Sequence, residues 1–285
     1  LFDLESRTFI DPFDGRHDLS NALLRAVDTS TFLEDPLRAL RVVQFCARLE
    51  FNVDPALRTL CREASLEELP VERIRGEWDK LLLRANRPSF GLEIARSTAL
   101  LERLFPEAWV FDEPEQDQTL DRLATTSRAR LEDAGRRLAL MLTGWLAGCS
   151  QEAVAHTLDR LGVFRVGGYS VRDQVTALHA HWRDAVDTDA ALRRMATRCE
   201  VHLALGLRAA HGEQVDEVEA RAAALGVLHA PMPPLLMGRH LQEMGIKPGP
   251  KMGELLRTVY DQQVDGTITT LDEARSAARK IDEDT

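Results

Sequence analysis

Two side chains near the start of the chain have the types and the spacing to read a polar partner. Asp35 is a pure acceptor and Arg38 is a rigid fork of donors. They stand three residues apart within 31–51, TFLEDPLRALRVVQFCARLEF, so on a helix they fall on one side of the entrance. Two readings of the pair are open. One is an N-cap with a surface ion pair, worth about 0–1 kcal/mol. The other is a set of donors and acceptors offered to a nucleobase.

The element that must position them is a helix with a marked start. Asp35 can accept from the free N–H groups of the first turn. Pro36 follows at the first helical position, where its missing N–H is no loss. Leu33, Leu37, Leu40, Val43 and Ala47 recur at helical spacing and predict one buried face, with Arg38 and Arg41 off it. The text reads as helical over 21–105. Pro70 ends one segment, and Val71, Ile74, Trp78, Leu81 and Leu82 make the next apolar stripe. Ahead of these helices, 1–4 and 7–10 read as the strands of a hairpin. A lone hairpin is marginal in water, so a sheet built from residues upstream of Leu1 is expected to support it. Between hairpin and helices, 11–19 (DPFDGRHDL) is a turn-rich link in which Gly15 supplies backbone freedom.

The totals set bounds. A chain of 285 residues can form about two domains. Its 44% hydrophobic and 29% charged content is that of a globular protein. The four cysteines, Cys46, Cys61, Cys149 and Cys199, are scattered, with neither zinc spacing nor a disulfide framework. A reducing, cytoplasmic setting is expected. No apolar run of about 18 residues and no signal peptide occurs, so no membrane partner is expected. The net charge of −10 argues against non-specific nucleic-acid binding by overall charge, but leaves room for a local basic groove. Acidic 112–121 carries part of the excess.

Downstream, 109–114 is a candidate boundary. Helices are expected over 120–126, 129–146, 151–161, 171–186, 190–211 and 215–225. Arg128, Arg130, Arg136 and Arg137 are either a phosphate-facing patch or solvated charge. His179 and His181, two apart, point to different sides of a helix and make a poor metal pair. The segment 230–234 (APMPP) reads as a linker. After it, LLMGRHLQEMGIKPGPKMGELL reads as helix, turn, helix. Gly245 is the C′ glycine of the first helix. The second helix offers its N-terminus to an anion, flanked by Lys247 and Lys251.

Three stretches carry a resemblance. IDPFDGRHDL, then EDPLRALRVVQFCARLEF, then LPVERIRGEWDKLLL, resemble in order and spacing the class II tRNA nucleotidyltransferase and bacterial poly(A) polymerase family. The family pattern is DP–GG–DL, then EDxxR with LRxxRF, then ERI–E–KLL. Pro88, Gly91, Leu100-Leu101 and Leu104-Phe105-Pro106-Glu107 resemble the end of the family's neck, and GIKPGPKMGE resembles its tail. Two departures stand out. Asp14 replaces a usual Gly in the hinge, and Gln44 replaces a usual third Arg. Many relatives carry a metal-binding HD fold further on. Here Leu142-Thr143-Gly144-Trp145 stands where the His-Asp would fall, so no HD metal site is expected.

The resemblance implies an all-α chain of neck, body and tail helices, with a short β-hairpin remnant of a missing α/β head. The expected divisions are 1–20 (end of head and hinge), 21–110 (neck), 111–230 (body with a degenerate HD-like region) and 231–285 (tail). It implies an enzyme adding C and/or A of a tRNA 3′-CCA end from CTP and ATP. Mg2+ would be held by the head, so no catalytic carboxylate or metal ligand is expected in the residues given. The family's Asp and Arg of EDxxR pair with the Watson–Crick edge of the incoming nucleotide, and carry over to Asp35 and Arg38. Arg41 is a further nucleotide or phosphate contact, with Glu34 and Asp11 in support. Lys247, Lys251 and Arg239 in the tail are implied to hold tRNA. A monomer or homodimer is expected. Poly(A) polymerase is the alternative within the family, and a non-catalytic RNA-binding helical module is the alternative outside it.

Overall fold

Helix packing is set by how closely two backbones can approach, and in this chain a glycine fixes one close crossing. The structure is a computed structural model describing residues 2–5, 7–110 and 116–283. Among the described residues there are 17 α-helices and three two-stranded ladders, so the chain is helical as expected. It divides into two compact units, Leu1–His179 and Ala180–Thr285.

The first unit opens with β1 (Phe2–Asp3) paired antiparallel to β2 (Thr8–Phe9), the expected hairpin, with Leu1 and Ser6 outside the described residues. The link that follows is partly helical, as α1 (Gly15–Ser20). Asp11 starts it by accepting from Gly15 N at 2.9 Å and Arg16 N at 2.8 Å. The left-handed residue there is Asp14 (φ 58°), not Gly15. Asp is among the few side chains that tolerate that conformation.

The expected unbroken helical run is interrupted. β3 (Leu23–Leu24) pairs in parallel with β4 (Asn52–Val53), and these flank α2 (Leu37–Leu49). A 3₁₀ turn, Phe32–Glu34, leads into α2. That turn corrects one expectation. It is off the α-helical period, so Phe32 is buried and Leu33 is 39% exposed. Leu37, Leu40, Val43 and Ala47 are buried as expected. Next come α3 (Pro55–Glu63), α4 (Val71–Arg84) and α5 (Pro88–Ser97). Pro70 precedes α4 rather than closing α3, which ends seven residues earlier at Glu63. Trp78, Leu81 and Leu82 are buried, whereas Val71 at the first turn is 40% exposed.

Two short helices follow, α6 (Leu100–Leu104) and α7 (Pro106–Trp109). Residues 111–115, with most of the candidate boundary and part of the acidic stretch, lie outside the described residues. Then come α8 (Asp117–Arg130), α9 (Ala134–Trp145), α10 (Gln151–Leu161), the hairpin β5 (Arg165–Val166) and β6 (Tyr169–Ser170), and α11 (Val171–His181). α9 starts later than expected because Asp133 caps it, accepting from Arg136 N at 2.7 Å. α11 ends earlier than expected, at His181.

Trp78, Phe105 and Trp145 stack against one another with centroids 4.8 to 5.4 Å apart, joining α4, α6–α7 and α9 in one core. Gly144, within the Leu142-Thr143-Gly144-Trp145 stretch, lies under Leu123, whose Cδ1 would overlap a Cβ there. That stretch is therefore spent on packing α9 against α8. Among the described residues no group of three or more His, Cys, Asp or Glu is placed to hold a metal.

The second unit holds α12 (Asp189–Ala196), α13 (Val201–Ala210), α14 (Asp216–Ala224), α15 (Gly238–Glu243), α16 (Pro250–Val264) and α17 (Leu271–Glu283). The single helix expected over 190–211 is two, because Glu200 is extended (ψ 111°). The linker expected at 230–234 is tied down. Tyr260 Oη donates to Met232 O at 2.8 Å, and Gln263 Nε2 donates to Pro233 O at 2.9 Å. Leu241, Met252, Leu255, Val259, Ala274 and Ala278 form the core of α15, α16 and α17. Among the described residues no helix is long and apolar enough to cross a membrane.

The close crossing is α2 on α5. A Cβ on Gly91 would lie 2.7 Å from Val43 O and 3.1 Å from Ala47 Cβ. Gly91→Ala should therefore destabilise the first unit by about 1–3 kcal/mol through overpacking, against a helix-propensity gain of at most about 1 kcal/mol. Urea denaturation measures the net change, and an unchanged or more stable variant would show that the two helices can separate freely.

Candidate functional site

The entrance of α2 brings three charged side chains together. Asp35 is extended (φ −126°, ψ 95°) and so stands outside the helix. Its carboxylate accepts from Leu37 N at 3.3 Å, as a cap should. Pro36 is already helical (φ −57°). The pairing expected between Asp35 and Arg38 is replaced. An extended Asp35 loses the three-residue helical register that would have brought the two together. Its carboxylate meets Arg73 of α4 instead, with Arg73 Nη2 3.3 Å from both oxygens. Arg38 turns back and donates to the Thr31 carbonyl oxygen.

Glu34 is exposed on the 3₁₀ turn, and the cap to the first turn is Asp35 rather than Glu34. Arg41 is exposed on the next turn of α2, its guanidinium 5.6 Å from the centroid of Phe45. Asp11 is engaged with α1, and the N–H groups of Arg16 and Gly15 hold its carboxyl below the usual range. The residue that inspection of the sequence left out of the site is Arg73. Its signal was present, because it belongs to the ERI–E stretch, but only the fold shows that α4 runs past the start of α2.

α4 is itself anchored. Glu77 is buried and accepts from Lys80 Nζ at 2.8 Å. Arg75 donates to Gly162 O at 3.0 Å, at the end of α10. Arg160 of α10 pairs with Glu107 at 2.8 Å. Arg73 is thus presented from a scaffold fixed on several sides.

In the second unit, Gly245 (φ 88°) follows α15 as expected. Lys247 is exposed in the turn, and Lys251 opens α16 but is drawn to Asp282, Nζ to Oδ1 2.9 Å. Arg239 contacts the ring of His240 at 3.2 Å.

Comparison with known proteins bears on these residues. A family model described as the probable RNA- and SrmB-binding site of polymerase A matches residues 50–112. An A-adding tRNA nucleotidyltransferase of Deinococcus radiodurans is 28% identical over 99% of this chain and 76% of its own length. A CCA-adding enzyme of Streptococcus sanguinis is 30% identical over 93% of this chain and 65% of its own length. Among solved structures, an apo CCA-adding enzyme has a TM-score of 0.63 at 20% identity, covering 93% of this chain and 64% of that one. The Thermotoga maritima CCA-adding enzyme complexed with tRNA has a TM-score of 0.57 at 21% identity, covering 95% of this chain and 67% of that one. The chain is thus similar in sequence and fold to CCA-adding and A-adding tRNA nucleotidyltransferases, and spans about two thirds of the length of several of these relatives.

The Arg73–Asp35 pair is partly exposed on both sides (49% and 33%), so solvent screens it. Arg73→Ala should change the unfolding free energy by less than about 1 kcal/mol in urea titration. A loss above about 2 kcal/mol would make the pair part of the scaffold rather than of an exchangeable site.

Proposed function

We propose that these residues are the nucleotide-selecting and RNA-holding part of a tRNA nucleotidyltransferase that adds C and/or A of the CCA terminus from CTP or ATP. Asp35 and Arg38 select the base. The observation that carries this reading is an acceptor and a donor fork set at the entrance of one helix: Asp35 accepts from the Leu37 N–H and from the exchangeable Arg73, and Arg38 is held by a backbone carbonyl. Cytosine offers N4–H₂ beside N3, and adenine offers N6–H₂ beside N1. One carboxylate and one guanidinium therefore complement either edge. Arg73 keeps the Asp35 carboxylate aimed until an amino group takes its place, and Arg41 lies one turn further on for the nucleotide's phosphates.

In this reading 21–110 selects the nucleotide, 111–230 is a structural body, and 231–285 grips tRNA through Arg239, Lys247 and Lys251. Lys247 offers the freest charge of the three, since Lys251 must leave Asp282 to meet a phosphate. Mg2+ belongs to this proposal only together with carboxylates outside the residues given. The described residues supply no donor set for it. The match of residues 50–112 to a polymerase A RNA-binding model leaves poly(A) polymerase as the alternative reading.

The test uses the protein that carries this chain, with radiolabelled CTP and ATP and a tRNA lacking its CCA end. One to three nucleotides should be added, and Arg38→Ala should lower incorporation at least about tenfold while leaving tRNA binding within about twofold. Long A tracts would favour the poly(A) reading. No incorporation with tRNA binding intact would favour a non-catalytic RNA-binding module. Incorporation unaffected by Arg38→Ala would remove Arg38 from base selection.

A further inference from the structure

The exposed side of α2 carries more charge than base selection uses. Arg38, Arg41, Phe45 and Arg48 follow one another at spacings of three, four and three residues, so they lie along one stripe about 15 Å long. Arg41 and Arg48 bracket the Phe45 ring, with guanidinium carbons 5.6 and 5.9 Å from its centroid. Among the described residues none of the three arginines pairs with a carboxylate. In the same unit Arg73, Arg75, Arg96 and Arg160 all do. The chain has acid to spare, with a net charge of −10. A stripe left unneutralised in such a chain is suited to a polyanion that arrives from outside.

Gln44 explains how the far end of the stripe is held. It is 2% exposed, and its Oε1 accepts from Arg48 Nη1 at 3.0 Å. An amide fixes the guanidinium over Phe45 without neutralising it, as a carboxylate there would. The usual Arg at this position would repel Arg48 instead of holding it.

We infer that Phe45 and Arg48, which continue the stripe beyond Arg41, form a docking track for single-stranded RNA, with Gln44 as its positioning residue. The inference rests on the proposed function for where the 3′ end of the RNA lies. The half-buried Phe45 ring and the Arg48 guanidinium beside it give a surface on which an unpaired base can stack, and the Arg48 charge meets the adjoining phosphate. A duplex, whose bases are already stacked, has no use for that platform. The stripe therefore favours the unpaired end over the stem.

The test is fluorescence anisotropy of the 285-residue chain with a labelled single-stranded RNA of about ten nucleotides, from about 50 to 200 mM salt. Arg48→Ala should flatten the slope of log K against log salt by about 0.7, and Arg48→Lys should restore it. Phe45→Ala should weaken binding about tenfold with the slope unchanged. Gln44→Glu should weaken binding and flatten the slope, because it keeps the contact and cancels the charge. A wild-type chain that does not bind this RNA would overturn the inference. So would Arg48→Ala and Phe45→Ala variants that bind with wild-type affinity and slope. Base selection is read separately from nucleotide incorporation, so either reading can fail while the other stands.

Discussion

The close approach of α2 and α5 at Gly91 is the constraint from which the site follows. With no side chain at that position, the two backbones meet near Val43 O, and α2 is buried along most of its circumference. What remains in solvent is a narrow stripe of charge, one half-buried ring and, at the last turn, Leu49. A helix so embedded cannot rotate to present other residues, and its start is fixed by the preceding 3₁₀ turn and the buried Phe32. The positions of Asp35, Arg38 and Arg41 are consequences of that packing.

Rigidity below and exchangeability above belong together. The aromatic cluster of Trp78, Phe105 and Trp145 holds α4 and α9, and α4 in turn carries Arg73 to Asp35. The pair it makes is partly exposed and weak, which is what a site needs if an incoming base is to take over one of its hydrogen bonds. Arg96 and Asp117 are far less exposed, and their pair locks α5 to α8 without offering either group to a ligand.

Much of this was legible in the sequence. The apolar period of α2, the caps, the glycine after α15 and the order of the three motifs all act locally or over one helix. The rest depended on where distant segments meet. Asp35 and Arg38 look like a pair at helical spacing, yet Asp35 is extended and its partner comes from α4, 38 residues away. The APMPP segment looks like a linker, yet Tyr260 and Gln263 reach back to its carbonyls. Gln44 looks like a lost charge, and only its burial against Arg48 shows what it does. Residues 111–115 lie outside the described residues, so the boundary expected there stands as an expectation.

The most direct measurement is the ratio of CTP to UTP use by the protein that carries this chain, in the wild type and in Asp35→Ala. Uracil turns an acceptor, O4, toward the position where cytosine offers N4–H₂, so it sets oxygen against the Asp35 carboxylate. Base reading by Asp35 predicts that the wild type favours CTP and that Asp35→Ala narrows the ratio by at least about fivefold. A ratio that survives the substitution unchanged would contradict it, and would place base selection on other residues.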